Sequence, residues 1–247
     1  MCYTEVMFIV SSDWHCQPEE LIPEAMKLIG QAEPGDTLVG VGDLFDFLPL
    51  GKEKFKNSKA IDDFINLLGG REFYYVAGNH DPYPWVKERF SKHGNIKVVR
   101  NVNFDNRWYF RHGHGWSHDW WLLRHFAPSV VELMADRLPR PWYWFSKKMG
   151  WIPSEDKAAI SSPYPLHYGE GRERMERQKY NDKVGVVWRN ALRYAQHNNI
   201  SVIVGHTHCS GVLIRANNGS KAVIADGGDL RDGTYLVIDA DVQLCTL

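Results

Sequence analysis

Five short clusters of acid, amide and imidazole side chains give this chain the residue types that bind metal ions. Most of them directly follow an apolar run that indicates a buried strand, where Asp, Asn and His are unusual. Such donors suit a pair of divalent cations, so the composition of the clusters favours a two-metal hydrolase. The clusters are Asp13-Trp14-His15, Gly42-Asp43-Leu44-Phe45-Asp46, Gly78-Asn79-His80-Asp81, His112-Gly113-His114 and Gly205-His206-Thr207-His208.

The spacing within the first three clusters is compatible with two cations held about 3.5–4 Å apart, which requires a bridging ligand. Asp13 and His15 are two residues apart after a strand, and in an extended backbone both would point to the same side. They are therefore predicted to share one cation. Asp43 follows the neighbouring strand and is the natural bridge, while Asn79 offers a neutral carbonyl oxygen.

The last cluster repeats this spacing, because His206 and His208 are also two residues apart after a strand. If the turn holds them on one side, each could reach one cation. Mixed oxygen and imidazole ligation without thiolate favours manganese, iron or zinc over magnesium or calcium. The predicted cofactor is two divalent metal ions, with manganese first and iron or zinc as alternatives.

The elements that position the first three clusters alternate along the chain. The sequence predicts strands at 6–11, 37–41 and 72–77, and helices at 18–32 and 58–68. Ser58 is expected to cap the second helix, and Gly69-Gly70 to end it. This alternation is typical of an α/β fold with a parallel component, in which ligands bind at the carboxyl ends of the strands. Three of the candidate ligands lie at such ends.

The second half of the sequence combines short predicted strands with one long, highly charged stretch. Strands are expected at 96–99 and 107–111, and a charged stretch at 173–197 has an amphipathic second half. Four more short strands, separated by turn residues, indicate a second, largely antiparallel sheet. They are predicted at 201–204, 211–214, 222–225 and 234–238.

Residues 116–170 break this alternation and are interpreted as an inserted, partly helical, aromatic-rich cap within a single domain spanning 1–247. Six of the ten tryptophans lie there: Trp116, Trp120, Trp121, Trp142, Trp144 and Trp151. Aromatic rings beside Lys147-Lys148 are the mixture found at membrane interfaces. Two interpretations stay open: the rings form the small core of the cap, or they contact a membrane surface or an apolar substrate.

Composition and charge exclude several other classes. Hydrophobic residues make up 44% and charged residues 24%, as in ordinary globular proteins. A net charge of −1 argues against nucleic acid as the specific partner. Four cysteines are too few for a disulfide scaffold, and neither a signal peptide nor a membrane span is expected. The predicted location is the cytoplasm, with peripheral contact at the inner membrane face if the cap binds lipid.

The ordered set of clusters resembles the calcineurin-like metallophosphoesterase superfamily. Its pattern is D-x-H, GD-x-x-D, GN-H-D/E, a His before Gly, and GH-x-H, and every element occurs here in order between Asp13 and His208. The resemblance covers most of the chain and is specific as a set, although each motif alone is weak. It implies a four-layer α-β-β-α sandwich of two mixed β-sheets flanked by helices.

The resemblance also implies roles for individual residues. One metal would be held by Asp13, His15, Asp43 and His208, and the other by Asp43, Asn79, His112 and His206. A metal-bridging hydroxide would attack the phosphorus, with His80 assisting the leaving group and Asp46 orienting His80. His112 and His114 both precede a glycine; His112 is assigned as the ligand because it is closest to the strand end. His114 is left as a supporting residue or substrate contact.

The motifs fix the reaction but leave the substrate open. The inserted aromatic-rich cap and the final motif, Gly205-His206-Thr207-His208, look most like those of the UDP-2,3-diacylglucosamine hydrolase group. This resemblance implies a sugar-nucleotide or lipid-linked substrate. This chain departs from that group at His80, where an arginine is typical. The alternative is a general phosphodiesterase or phosphomonoesterase acting on nucleotides or phosphoproteins. Phe47 stands near the position of a phosphoprotein-phosphatase arginine, which counts against protein substrates. A nuclease and a non-catalytic scaffold are further alternatives.

Overall fold

Two β-sheets face each other at the centre of this protein. The computed structural model describes residues 7–46, 52–116, 172–217 and 220–247, with the backbone alone for 172–184, 215–217 and 220–222. The first sheet contains β1 (Phe8–Ser11), β2 (Thr37–Val41), β3 (Phe73–Val76), β4 (Ile96–Val99), β10 (Thr234–Ile238) and β11 (Val242–Thr246). Its strand order is β11-β10-β1-β2-β3-β4, with β1 to β4 parallel and β10 antiparallel to both β1 and β11.

The second sheet is also mixed. It contains β5 (Asn101–Phe104), β6 (Trp108–Arg111), β7 (Ser201–Val204), β8 (Gly211–Asn217) and β9 (Ser220–Asp226) in the order β5-β6-β7-β9-β8. The β6–β7 and β7–β9 pairs are parallel, and the two outer pairs are antiparallel. The expectation of a largely antiparallel second sheet is therefore wrong. Its centre is parallel because long connections separate these strands along the chain, and β10 joins the first sheet instead.

Helices cover the outer faces of both sheets. They are α1 (Pro23–Gln31), α2 (Lys52–Lys56), α3 (Lys59–Leu68), α4 (Tyr83–Phe90) and α5 (Arg172–Asn198), with short 3₁₀ turns at His114–Trp116 and Leu230–Asp232. Alternate strand residues point to opposite faces, so one set packs between the sheets and the other beneath the helices. Phe8, Val10 and Phe110 belong to the inter-sheet core, and Ile9 packs toward the helices of the first sheet. The result is the predicted four-layer α-β-β-α sandwich.

The boundaries of α1 and α3 show how local sequence sets helix ends. The Ser58 hydroxyl accepts a hydrogen bond from the Ile61 amide, and Gly69 ends α3 in the left-handed conformation, as predicted. The helix predicted over 18–32 begins only at Pro23. A proline disfavours helical geometry in the preceding residue, and Ile22 is accordingly extended with ψ 147°.

The predicted cap is represented here by Trp116 alone, because the rest of 116–170 lies outside the described residues. The Trp116 ring packs at 6.5 Å from Tyr109 and 5.6 Å from Tyr194, and the Asn190 side chain donates to its carbonyl. This aromatic group fixes the point at which the chain leaves the second sheet. Across the parts of the chain with assigned placement, no helix has both the length and the apolarity to span a membrane.

Candidate metal centre

Five strands bring the polar clusters to one edge of the sandwich. In the first sheet, β1, β2 and β3 are parallel, so Asp13, Asp43 and Asn79 follow the same ends of neighbouring strands. In the second sheet, β6 and β7 are parallel, so His112 and His206 also share one end. The carboxyl ends of both sheets therefore meet at a single site, as the sequence predicts.

The backbone at this site is left-handed, which corrects the expected extended geometry. Positive φ angles occur at Asp13 (53°), His15 (48°), Asp43 (52°), His206 (72°) and His208 (54°). Such a conformation costs a non-glycine residue about 1–2 kcal/mol, and unfavourable backbone geometry concentrates at functional sites. The paired residues converge because each strand ends in a tight turn, and not because they alternate along an extended strand.

Among the described residues, three groups of side chains bring candidate ligand atoms within 4.8 Å of one another. Two of these groups consist only of predicted metal ligands and share no residue; these two are the clusters described here, and the first contains Asp13, His15 and His208. The His208 Nε2 is 3.6 Å from the Asp13 Oδ1, and the rings of His15 and His208 stack at 5.0 Å. The His15 Nε2 is buried and forms no hydrogen bond with any described group. A buried nitrogen without a partner is costly, so this cluster fits a cation.

The second cluster contains Asp43, His112 and His206, again with ligand atoms within 4.8 Å. The His112 Nε2 is 3.0 Å from Asp43 Oδ2 and 3.2 Å from Asn79 Oδ1. Its Nδ1 lies 2.8 Å from the Val41 carbonyl, which can only accept, so Nδ1 carries a proton and Nε2 faces the oxygen donors. The structure thus brings His112 into the cluster, while the half-buried His114 lies beside it with ring centroids 5.4 Å apart.

A main-chain contact joins the two clusters. The His206 amide donates to both Asp13 carboxylate oxygens, at 2.9 and 3.2 Å. Burial and the neighbouring imidazoles lower the pKa of His15 to about 3 and that of His206 well below its usual value. Both rings are therefore neutral at physiological pH, the form that binds metal.

The electrostatics of the second cluster reflect excess negative charge. Burial would lower the pKa of His112, but the Asp43 carboxylate outweighs burial and raises this pKa to about 10. The ring therefore holds a proton that a cation has to displace, so cation binding weakens as pH falls. Asp43 also favours the charged forms of His15 and His208 in the first cluster, which places its carboxylate within electrostatic reach of both clusters.

His80 and Asp46 form a pair next to the first cluster, and together with His15 they make up the third group with candidate ligand atoms within 4.8 Å. The His80 Nδ1 lies 2.6 Å from Asp46 Oδ1, and the His80 ring meets the His15 ring edge-on at 5.0 Å. The His80 amide donates to Asp43 Oδ1 at 2.8 Å. Burial would lower the pKa of His80, but Asp43 and Asp46 raise it to about 9. His80 is therefore protonated at neutral pH, as a proton donor must be.

Asp81 supports the site, and the sequence analysis assigned it no role. Its buried carboxylate accepts hydrogen bonds from the Gly78 amide at 2.7 Å, the Leu44 amide at 2.8 Å and the Asp43 amide at 3.2 Å. The Tyr75 hydroxyl donates a further short bond. Asp81 therefore ties the turn after β3 to the turn after β2 and fixes the backbone of Asp43.

Asp81→Asn is expected to lower the free energy of unfolding by about 2–4 kcal/mol, because one oxygen becomes a donor facing other donors. Tyr75→Phe removes only one hydroxyl from the same network and should cost about 1 kcal/mol. Urea denaturation of both variants measures the difference. A smaller loss in Asp81→Asn than in Tyr75→Phe would contradict the assigned role of Asp81.

Gly78 explains why the turn after β2, which carries Asp43, and the turn after β3, which carries Asn79, can approach so closely. A Cβ atom added to Gly78 would stand 2.1 Å from the Asp43 Oδ1 and 2.3 Å from the Asp43 amide nitrogen. Real Cβ atoms essentially never come within 3.0 Å of other heavy atoms. A side chain at position 78 would thus displace Asp43 or separate the two turns.

A sixth polar cluster, which sequence analysis missed, lies at Asp226-Gly227-Gly228-Asp229 at the end of β9. Asp226 is buried, accepts from the Gly228 amide at 2.8 Å and binds the Thr207 hydroxyl. The Asp229 carboxylate lies 3.2 Å from the His208 Nδ1. The sequence carries the same signal here as at the five other polar clusters, namely acidic residues and glycine at the end of a strand.

Comparison with known proteins identifies the family of this chain. The model of the calcineurin-like phosphoesterase family matches residues 6–210, and the chain belongs to that family. It is therefore a metal-dependent phosphoric ester hydrolase whose family implies a dinuclear divalent metal centre. A search of curated proteins finds no significant sequence match.

Solved structures similar to this chain include three with low sequence identity. A dimetal phosphatase from Danio rerio is 9% identical with a TM-score of 0.47, covering 98% of each chain. The protein TT1561 of Thermus thermophilus is 12% identical with a TM-score of 0.47, covering 98% of this chain and 99% of that one. The phosphopantetheinyl hydrolase of Mycobacterium tuberculosis is 12% identical with a TM-score of 0.41, covering 92% and 91%. Similarities at this level do not define a substrate.

Proposed function

We propose that this protein hydrolyses a phosphate ester or pyrophosphate at a dinuclear centre formed by the two clusters. The observation that carries the proposal is the pair of three-residue clusters at one sheet edge, joined by the His206 amide on Asp13. The proposed ligands are Asp13, His15, Asp43, Asn79, His112, His206 and His208. Asp43 is the proposed bridge, as the family pattern implies: its Oδ2 lies 3.0 Å from the His112 Nε2, and its Oδ1 accepts from the amide of His80, which lies beside the first cluster.

Two bound divalent cations would supply Lewis acidity toward the phosphoryl oxygens and an activated water. The residues of this chain hold the cations and control protons around them. His112 keeps its Nε2 toward Asp43 because Nδ1 is held by the Val41 carbonyl. We propose manganese as the native metal, with iron or zinc as alternatives, because oxygen and imidazole donors without thiolate favour these ions.

His80 is the proposed proton donor to the leaving oxygen. Asp46 binds its Nδ1 at 2.6 Å, which orients the ring and stabilises its charged form. Nε2 then carries the proton available to a substrate. Positioned general acids typically accelerate such reactions by about 10²–10⁴-fold.

Hydrolysis of bis-p-nitrophenyl phosphate tests the reaction class. The protein loaded with manganese should release p-nitrophenolate, and removal of the metal by a chelator should reduce the rate to background, since the nucleophile depends on the cations. Readdition of manganese should restore the rate, which controls for damage by the chelator. If elemental analysis finds two bound ions but neither diesters, monoesters nor pyrophosphates are cleaved, the proposal is wrong.

The substrate is proposed to be a sugar nucleotide or a lipid-linked pyrophosphate. The support is compositional: a tryptophan-rich insertion that can present apolar surface to acyl chains. The competing class is a nucleotide or other phosphodiester or monoester. A panel of nucleotides, sugar nucleotides, phospholipids and phosphopeptides separates these classes, and preference for a substrate without an apolar group would argue against the lipid assignment.

A further inference from the structure

Asp229 lies next to His208 and comes from a segment of the chain that carries none of the proposed ligands of the first cluster. It caps the 3₁₀ turn Leu230–Asp232, where its side chain accepts from the Arg231 amide at 3.0 Å. Its backbone forms a parallel bridge with Ser12, and the Ser12 hydroxyl donates to the Gly228 carbonyl at 3.0 Å. The segment that carries Asp229 is thus fixed directly against the turn that carries Asp13.

The Asp229 carboxylate supports His208 from the side opposite the cluster. Its Oδ2 lies 3.2 Å from the His208 Nδ1, and the side chain is only about one-tenth exposed. The Arg231 Nε donates to both carboxylate oxygens, at 2.9 and 3.2 Å, and the Nη2 of the same guanidinium group donates a further short bond. The positive guanidinium compensates the buried acid, so the carboxylate can remain charged while it accepts from an imidazole.

This contact determines which nitrogen of His208 faces the cluster. A carboxylate at Nδ1 holds the proton there, and Nε2 then directs its lone pair toward Asp13, whose Oδ1 is 3.6 Å away. The other imidazole of the cluster differs: the unpartnered Nε2 of His15 is its candidate ligand atom, and among the described residues no carboxylate forms a hydrogen bond with its ring. Within the first cluster, His208 is therefore the imidazole with a built-in carboxylate support.

We infer that Asp229, held by Arg231, is a positioning residue that orients His208 and sets the affinity of the first cluster for its cation. The inference rests on the proposed function, since it requires that the first cluster bind a metal ion. Asp229 has no such role at the second cluster, where the Val41 carbonyl already holds His112. Loss of Asp229 should therefore weaken one of two binding events and leave the other unchanged.

Calorimetric titration of the metal-free full chain with Mn²⁺ tests the inference. The wild type should show two binding events, and Asp229→Asn should weaken one of them by about 10–100-fold, the usual cost of removing such a support. Arg231→Gln, at an exposed residue, should weaken the same event by a smaller factor and keeps the inference testable if Asp229→Asn does not fold. With two equivalents of Mn²⁺, electron paramagnetic resonance should show a larger share of isolated, uncoupled Mn²⁺ in both variants than in the wild type.

Asp232→Asn is the matched control. It removes the same charge from the same 3₁₀ turn, but no hydrogen bond joins its side chain to His208 in the described part of the chain. The charge of Asp232 reaches His208 only through space, so both affinities of Asp232→Asn should stay much closer to the wild-type values than those of Asp229→Asn. Two events with unchanged affinities in both Asp229→Asn and Arg231→Gln would overturn the inference and leave the dinuclear proposal intact. Absence of any binding by the wild type would overturn both.

Discussion

Asp43→Asn is expected to lower kcat by about 10³-fold or more and to reduce bound metal from two ions to at most one. The Asp43 side chain is 2% exposed, with Oδ2 3.0 Å from the His112 Nε2 and Oδ1 accepting from the His80 amide at 2.8 Å. Asparagine has nearly the same shape as aspartate, but an NH₂ group replaces one carboxylate oxygen. It therefore cannot present an oxygen to both the His80 amide and the His112 ring. A 10³-fold loss corresponds to about 4 kcal/mol, within the range assigned to metal activation.

The measurements for this variant are elemental analysis and steady-state kinetics with manganese. Asp63→Asn is a suitable control because it makes the same chemical change at an exposed side chain paired with Lys59 on α3. That control should match the wild type in both measurements. Two tightly bound ions and near-normal kcat in Asp43→Asn would exclude Asp43 as the bridging ligand.

His80→Asn is the second large expected effect, and its size should depend on the leaving group. For an alkyl phosphate ester, kcat should fall by about 10²–10⁴-fold, because the departing alkoxide requires a proton. For a p-nitrophenyl ester, the fall should be much smaller, since that leaving group is already stable as an anion. Both metal ions should remain, because the proposed ligand atoms do not include the imidazole of His80.

The pH dependence gives an independent check on His80. A general acid works only when protonated, so the wild-type rate on an alkyl ester should decline as pH rises through the pKa of His80. Asp43 and Asp46 raise that pKa to about 9 in the metal-free protein, and bound cations oppose this effect by neutralising Asp43. The alkaline decline should disappear in His80→Asn and shift to lower pH in Asp46→Asn. Equal losses on alkyl and aryl esters would contradict proton donation by His80.

Local sequence signals predicted many elements well where the controlling interactions are local. The strand Thr37–Val41, the Ser58 cap and the Gly69 stop occur as expected, because each depends on neighbours within a few residues. The short helix Tyr83–Phe90 and the edge strand Val242–Thr246 were not predicted. Their apolar periodicity is weak, and their stability comes from packing against the first sheet.

Strand partners were harder to predict than strands. Residues Thr234–Ile238 were correctly assigned as a strand but to the wrong sheet, since β10 pairs with β1 more than two hundred residues away. Pairing across such distances depends on which sheet edge remains open after the other strands have assembled. That information is not contained in the pattern of the strand itself.

Residue types and their spacing alone specify the chemistry available at this site: carboxylate, amide and imidazole donors at the ends of buried strands, with no thiolate among the proposed ligands. Only the folded structure reveals their geometry, including the left-handed turns at Asp13 and Asp43 and the 3.0 Å contact between the His112 Nε2 and Asp43. It also revealed Asp81 and Asp229 as supports. The reason is physical: residue type fixes donor chemistry, whereas ring orientation and hydrogen-bond partners depend on groups from distant segments that meet only when the two sheets pack.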